Sequence, residues 1–137
     1  MAWRRGDLAL ALCAAAVLLG AAGAAAGWQW REDRKAWQQA MRLTDGDPGR
    51  GRSLMRRYGC AGCHEIPGVR GADGRVGPSL DHVAGRLYIG GHLPNTAANL
   101  VRWLEDPPKH APLTAMPKTG IEGQAARDAA AFLYTLR

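Results

Sequence analysis

The five residues Cys60-Ala61-Gly62-Cys63-His64 constrain this chain more than any other stretch. Two thiols three residues apart project from one side of a helical turn, and an imidazole comes directly after them. That is the form of a covalent c-type haem site. Each thiol can form a thioether to a haem vinyl group, and His64 then sits beneath the porphyrin with a ring nitrogen on the iron. A thioredoxin-like redox pair would need a strand–helix context, which the Gly- and Arg-rich surroundings do not supply. A structural zinc site would need about four Cys or His ligands at zinc spacing, and there is no second Cys pair. The motif occurs once, so one haem is expected.

With 137 residues the chain has room for one small domain and an appendage. The appendage lies at the N-terminus. Leu8 to Gly27 carries no charge and is rich in Ala and Leu. At a rise of about 1.5 Å per residue it just crosses a hydrocarbon core roughly 30 Å thick. Trp28 and Trp30 fall where an aromatic belt would sit, and Arg31 marks the return to water. The competing reading is a cleaved signal peptide. Its basic start would be Arg4-Arg5, its apolar segment Leu8–Leu19, and its small-residue cleavage site Ala22-Gly23-Ala24 or Ala24-Ala25-Ala26. Span length and the Trp pair favour a retained anchor over residues 1–30, and on either reading the rest of the chain is exported. A lipoprotein reading fails, because Leu12 before Cys13 is too large for that processing site. Arg31, Arg34 and Lys35 slightly outnumber Arg4 and Arg5, so the positive-inside rule does not set the orientation. Attachment of c-type haem takes place on the outer, electropositive side, which puts the N-terminus in the cytoplasm.

The formal charge of +6 is dispersed: +1 over residues 1–30, +2 over 31–44 and +3 over 45–137. Two haem propionates would offset most of the last figure. The basic residues form no continuous stripe with interleaved aromatics, so nucleic acid is not a partner.

Residues 31–44 read as a polar helical stalk with a weak apolar stripe of Ala36, Trp37, Ala40, Met41 and Leu43. After Thr44-Asp45-Gly46, Asp47 is a good N-cap and Pro48 suits the first helical position. A helix is expected from Pro48 to about Tyr58, with Gly51 permitting close approach of another helix. Ile66 to Gly77 reads as loop. A further helix should start at an Asn95 cap and end before Pro107-Pro108. Lys109 to Gly120 reads as loop, and Gly123 to Arg137 as the last helix. No strand pattern stands out, so the fold class is all-α: a small helical domain over residues 45–137 around one haem, behind one transmembrane helix.

The chain resembles the class I cytochrome c family. The likeness is carried by Gly51-Arg52-Ser53-Leu54-Met55 before Cys60–His64, Gly77-Pro78-Ser79-Leu80, and Asn99 to Leu104 before Asp106-Pro107. Met116-Pro117 and Ala131-Phe132-Leu133 complete it. Gly85-Arg86-Leu87-Tyr88-Ile89-Gly90 with Leu93-Pro94-Asn95-Thr96 looks like the cytochrome c domain fused to subunit II of caa3-type oxidases, here without the copper-binding domain. The resemblance implies Cys60 and Cys63 as thioether anchors, His64 as proximal ligand and Met116 as distal ligand. It implies that the Pro78 carbonyl accepts from the other ring nitrogen of His64, and that Trp103 lies near the haem with a propionate in reach. It also places Gly51 and Phe132 where first and last helices cross. Met55 stands where an aromatic is usual, which implies looser packing there. Tyr88 is expected to pack with its hydroxyl at the haem edge. His82, His92 and His110 are expected as surface or hydrogen-bonding residues, with His92 and His110 the runners-up to Met116 as ligand because they flank loops near the haem.

The function so implied is single-electron transfer on the periplasmic side of a bacterial cytoplasmic membrane, by a carrier with no small-molecule substrate rather than an enzyme. The expected donor is a quinol–cytochrome c reductase or a soluble cytochrome, and the expected acceptor a haem–copper oxidase, of which this chain could be a subunit. Two rivals stand beside it: a five-coordinate haem protein that binds or reduces a small ligand, and an accessory subunit whose haem stabilises an oxidase.

Overall fold

The computed structural model describes residues 5–137. The chain divides into two compact units between Lys35 and Ala36. In the first, helix α1 (Arg5–Thr44) begins. Its run of Ala and Leu has no proline to interrupt the backbone ladder. Leu10, Leu12, Val17, Leu18 and Leu19 are 65–74% exposed. Among the described residues this helix is long and apolar enough to cross a membrane, and none of its apolar window is buried by protein. A bare apolar face of this length is a liability in water and at home in hydrocarbon. Where the apolar run ends, the Arg34 guanidinium lies 4.6 Å from the Trp30 ring centre, and Lys35 pairs with Glu32 at 2.8 Å.

The second unit takes in the end of α1. Ala36, Ala40 and Thr44 recur every four residues and are buried, whereas Trp37, Met41 and Leu43 are about half exposed. The expected stripe is thus split, with only its small members facing inward. Thr44 Oγ1 donates to the Ala40 carbonyl at 2.8 Å and accepts from Gly46 N at 3.2 Å. Asp45 then turns the chain with φ +52°, a left-handed helix stop.

Helix α2 (Pro48–Arg57) starts as its sequence dictates: the Asp47 carboxylate accepts from Arg50 N at 2.8 Å, and Pro48 opens the first turn. Its main partner is α6 (Gly123–Leu133). At the crossing, a Cβ on Gly51 would strike the Asp128 carbonyl and lie 2.9 Å from the Phe132 Cβ. Met55 on the same helix is fully buried in the core. Asp128 is itself buried. Its carboxylate accepts from Asp47 N at 2.8 Å, Arg50 Nε at 2.7 Å and Gln124 Nε2 at 2.9 Å. These donors hold it down to about pKa 2, the Arg50 hydrogen bond contributing most.

Between these helices run α3 (Cys60–Cys63), a 3₁₀ turn (Val83–Gly85), a two-residue antiparallel pair β1 (Tyr88–Ile89) and β2 (Leu93–Pro94), then α4 (Ala97–Glu105) and α5 (Pro107–His110). Four expectations are corrected here. The pair β1–β2 is strand, too short to leave a period in the sequence. Helix α4 ends before Pro107-Pro108 as expected, but the stretch read as loop from Lys109 begins in helix α5, where the Asp106 carboxylate accepts from Lys109 N at 3.3 Å. Asn95 does not cap α4: Thr96 does, accepting from Asn99 N at 3.2 Å. The Asn95 amide is spent elsewhere, donating to the Val83 and Arg86 carbonyls at 2.9 and 2.8 Å and accepting from Tyr134 Oη at 2.9 Å. The last helix also ends at Leu133, four residues before the expected Arg137. Ile66, Val83, Ile89, Leu100, Trp103, Leu104, Ile121 and Phe132 form the core. The second unit is built almost wholly of helix and loop.

Candidate functional site

Tyr58 caps α2, Gly59 turns with φ +75°, and the chain re-enters helix for one turn at α3. That turn carries Cys60 and Cys63, both half-buried and both free thiols. Burial pushes the Cys60 thiol up. His64 N closes the turn on the Cys60 carbonyl at 3.0 Å, and His64 itself is extended, swinging its ring out of the helix.

The ring is held by backbone. His64 Nδ1 lies 2.7 Å from the Pro78 carbonyl. A carbonyl can only accept, so Nδ1 is the donor, and among the described residues Nε2 has no hydrogen-bond partner. Gly77 lies flat against the imidazole: any Cβ there would come 2.6 Å from Nδ1 and 2.9 Å from Nε2. Its N–H donates to the Cys63 carbonyl at 2.8 Å, and Leu80 N–H donates to Glu65 at 2.8 Å. Gly74 approaches the motif from the same loop, where a Cβ would lie 2.6 Å from the Gly62 and Cys63 carbonyl carbons. The loop read as featureless is therefore a backbone sleeve around residues 60–65. Two of its glycines, Gly74 and Gly77, make that approach possible, since a side chain at either would collide with the motif.

Met116, the expected distal ligand, is half-buried against the core in the segment before α6, its N–H donating to Thr114 Oγ1 at 3.2 Å. Cys60, Ala61, Tyr58, Leu80 and Val101 are likewise half-buried against the same core. Trp103 is buried, its ring packed so closely on Gly90 that a Cβ there would lie 2.6 Å from Cζ2. Among the described residues its indole N–H has no hydrogen-bond partner. Tyr88 on β1 is exposed, with no hydrogen bond to its hydroxyl among the described residues. His82 is an exposed left-handed residue beside Asp81, His92 is exposed, and His110 is half-buried at the end of α5. Among the described residues no three His, Cys, Asp or Glu side chains gather as a metal site, as a zinc centre on Cys60 and Cys63 would require.

Over 82 residues, 56% of this chain, the sequence is 30% identical to cytochrome c oxidase subunit 2 of Alkalihalophilus pseudofirmus. The chain spans 23% of that protein's length. No family model and no solved structure matches the chain.

Proposed function

We propose that this chain is a membrane-anchored monohaem cytochrome of the class I type, passing single electrons on the periplasmic side of a bacterial cytoplasmic membrane. The observation that carries the reading is the His64 ring, fixed by the Pro78 carbonyl with Nε2 free, one residue after two free thiols on a single turn. The donor types fit a haem: an imidazole nitrogen without a partner, two thiols on one turn, and a thioether and apolar side chains half-buried against the same core. When bound, the haem supplies one-electron chemistry at its iron. Cys60 and Cys63 would hold it by thioether bonds, and His64 Nε2 and Met116 Sδ would both bind its iron, leaving little room there for a small ligand. The Nδ1–H bond to Pro78 orients His64 and raises its basicity. Met116 as a thioether ligand raises the potential. Trp103, whose indole N–H has no hydrogen-bond partner among the described residues, is the candidate to bond a propionate. Helix α1 confines the domain to the membrane, which raises its effective concentration toward membrane partners. The similarity to an oxidase subunit supports a haem–copper oxidase as acceptor, with a quinol–cytochrome c reductase or a soluble cytochrome as donor.

The test is Met116→Leu in the full chain, purified in detergent. Covalent haem, read by haem stain and intact mass, should be retained. The far-red methionine–iron band should vanish, and the ferrous protein should gain carbon monoxide binding. An unchanged spectrum overturns Met116 as ligand. A wild-type chain without covalent haem overturns the whole reading.

A further inference from the structure

We infer that Arg86 is a positioning residue for His64: it clamps the loop whose Pro78 carbonyl fixes the imidazole. This rests on reading His64 as the iron ligand. The loop needs such a clamp. Gly77 N–H and Leu80 N–H tie its two ends to Cys63 and Glu65, but Pro78 has no N–H to donate, and Pro78, Asp81 and His82 are all exposed. His82 holds a left-handed φ of +52°, uncommon for a residue with a side chain. The internal ties at that point are short-range: Asp81 N to Ser79 Oγ at 3.2 Å and His82 N to Asp81 Oδ1 at 2.9 Å.

Arg86 supplies what the loop lacks. Its Nη2 donates both to the Ser79 carbonyl, directly after Pro78, and to the Asp81 carbonyl at 3.1 Å. Bonds from a guanidinium are charge-assisted and roughly twice as strong as neutral ones, and its planar fork is set before it binds. The guanidinium is half-buried, and among the described residues it pairs with no carboxylate. Arg86 is in turn anchored. Its carbonyl accepts from Asn95 Nδ2, and Asn95 Oδ1 accepts from Tyr134 Oη just beyond α6. A continuous brace runs from the last helix through Asn95 and Arg86 to the Pro78 loop and so to His64. Loosening it frees the ring whose orientation and basicity a metal would sense.

The experiment compares the wild type with Arg86→Gln, Arg86→Lys and Asn95→Asp in the full, haem-loaded chain in detergent. Solution NMR of the ferrous state reads the exchange of His64 Nδ1–H with water. Arg86→Gln should accelerate it about tenfold, as expected for about one lost hydrogen bond. Arg86→Lys should stay within about threefold, and Asn95→Asp, which removes the donor to the Arg86 carbonyl, should raise it about threefold. The Leu100 and Leu104 amides of α4 should not change. An unchanged His64 rate in Arg86→Gln overturns the proposal, as does a rise matched by the α4 amides. If Arg86→Gln fails to fold, an unchanged rate in Asn95→Asp overturns it. If the wild type carries no covalent haem, the functional reading fails, and the same comparison on the Gly77 and Leu80 amides decides the clamp alone.

Discussion

Glycine means opposite things in the two units. In the apolar helix, a Cβ on Gly20, Gly23 or Gly27 would meet nothing within 4 Å. In the folded unit, a Cβ on Gly46, Gly51, Gly74, Gly77 or Gly90 would strike backbone or an aromatic ring. Composition governs the first region: any small or apolar side chain serves, because the surroundings are a solvent. Distance governs the second, where a single hydrogen in place of a methyl lets α2 meet α6, or the 77–78 peptide lie on an imidazole.

Substitution at these glycines is the sharpest way to break the contrast. Gly51→Val should cost about 4 kcal/mol or more and leave the second unit unfolded, because the Asp128 carbonyl cannot yield without moving α6. Gly23→Val, the same change in the helix, should leave folding and membrane retention within about 0.5 kcal/mol of wild type. Proteolysis of the full chain in detergent reads both. A large loss at Gly23 would mean that the helix face has a partner. The reverse experiment is next in size. Leu18→Arg should cost about 3 kcal/mol of membrane insertion, and carbonate extraction should move the chain toward the soluble fraction. An arginine at an exposed site of the second unit such as Leu113 should be neutral by comparison.

The same division decides what the sequence revealed. The apolar helix, the Asp47–Pro48 start of α2 and the Cys60–Cys63 turn are written in neighbouring residues, whose spacing is the structure. Asn95 and Thr96 show where that fails. Both are good caps, and only contacts with Val83, Arg86 and Tyr134, the last of them 39 residues away, decide which is used. The resemblance implied the bond between His64 and Pro78, but not the Gly74 and Gly77 sleeve or Arg86, which exist only once the loop has closed. Asp128 was equally hidden. Within a run of alanines it reads as a solvent-facing charge, and its donors lie 78 and 81 residues away.

That carboxylate offers the last and smallest test, because the two units hold ion pairs of nearly equal length. Glu32–Lys35 at 2.8 Å is largely exposed, and such pairs contribute about 0–1 kcal/mol. Arg50–Asp128 at 2.7 Å sets an exposed guanidinium on a carboxylate whose side chain is only 6% exposed. The depressed pKa makes the difference measurable. Asp128 falls from its ordinary 3.8 to about 2, so the folded state binds its proton less readily than the unfolded state. Its contribution is complete above about pH 4, declines as the pH falls toward about 2, and is gone below that. Denaturant unfolding of the full chain in detergent should show Asp128→Asn less stable than wild type near neutral pH, on the order of 2 kcal/mol. The gap should shrink as the pH falls toward about 2, where the wild-type carboxyl is protonated as well. Glu32→Gln should show no such gap at any pH. A gap at Asp128 that persists unchanged into acid would mean that packing of the side chain, not its charge, joins α2 to α6.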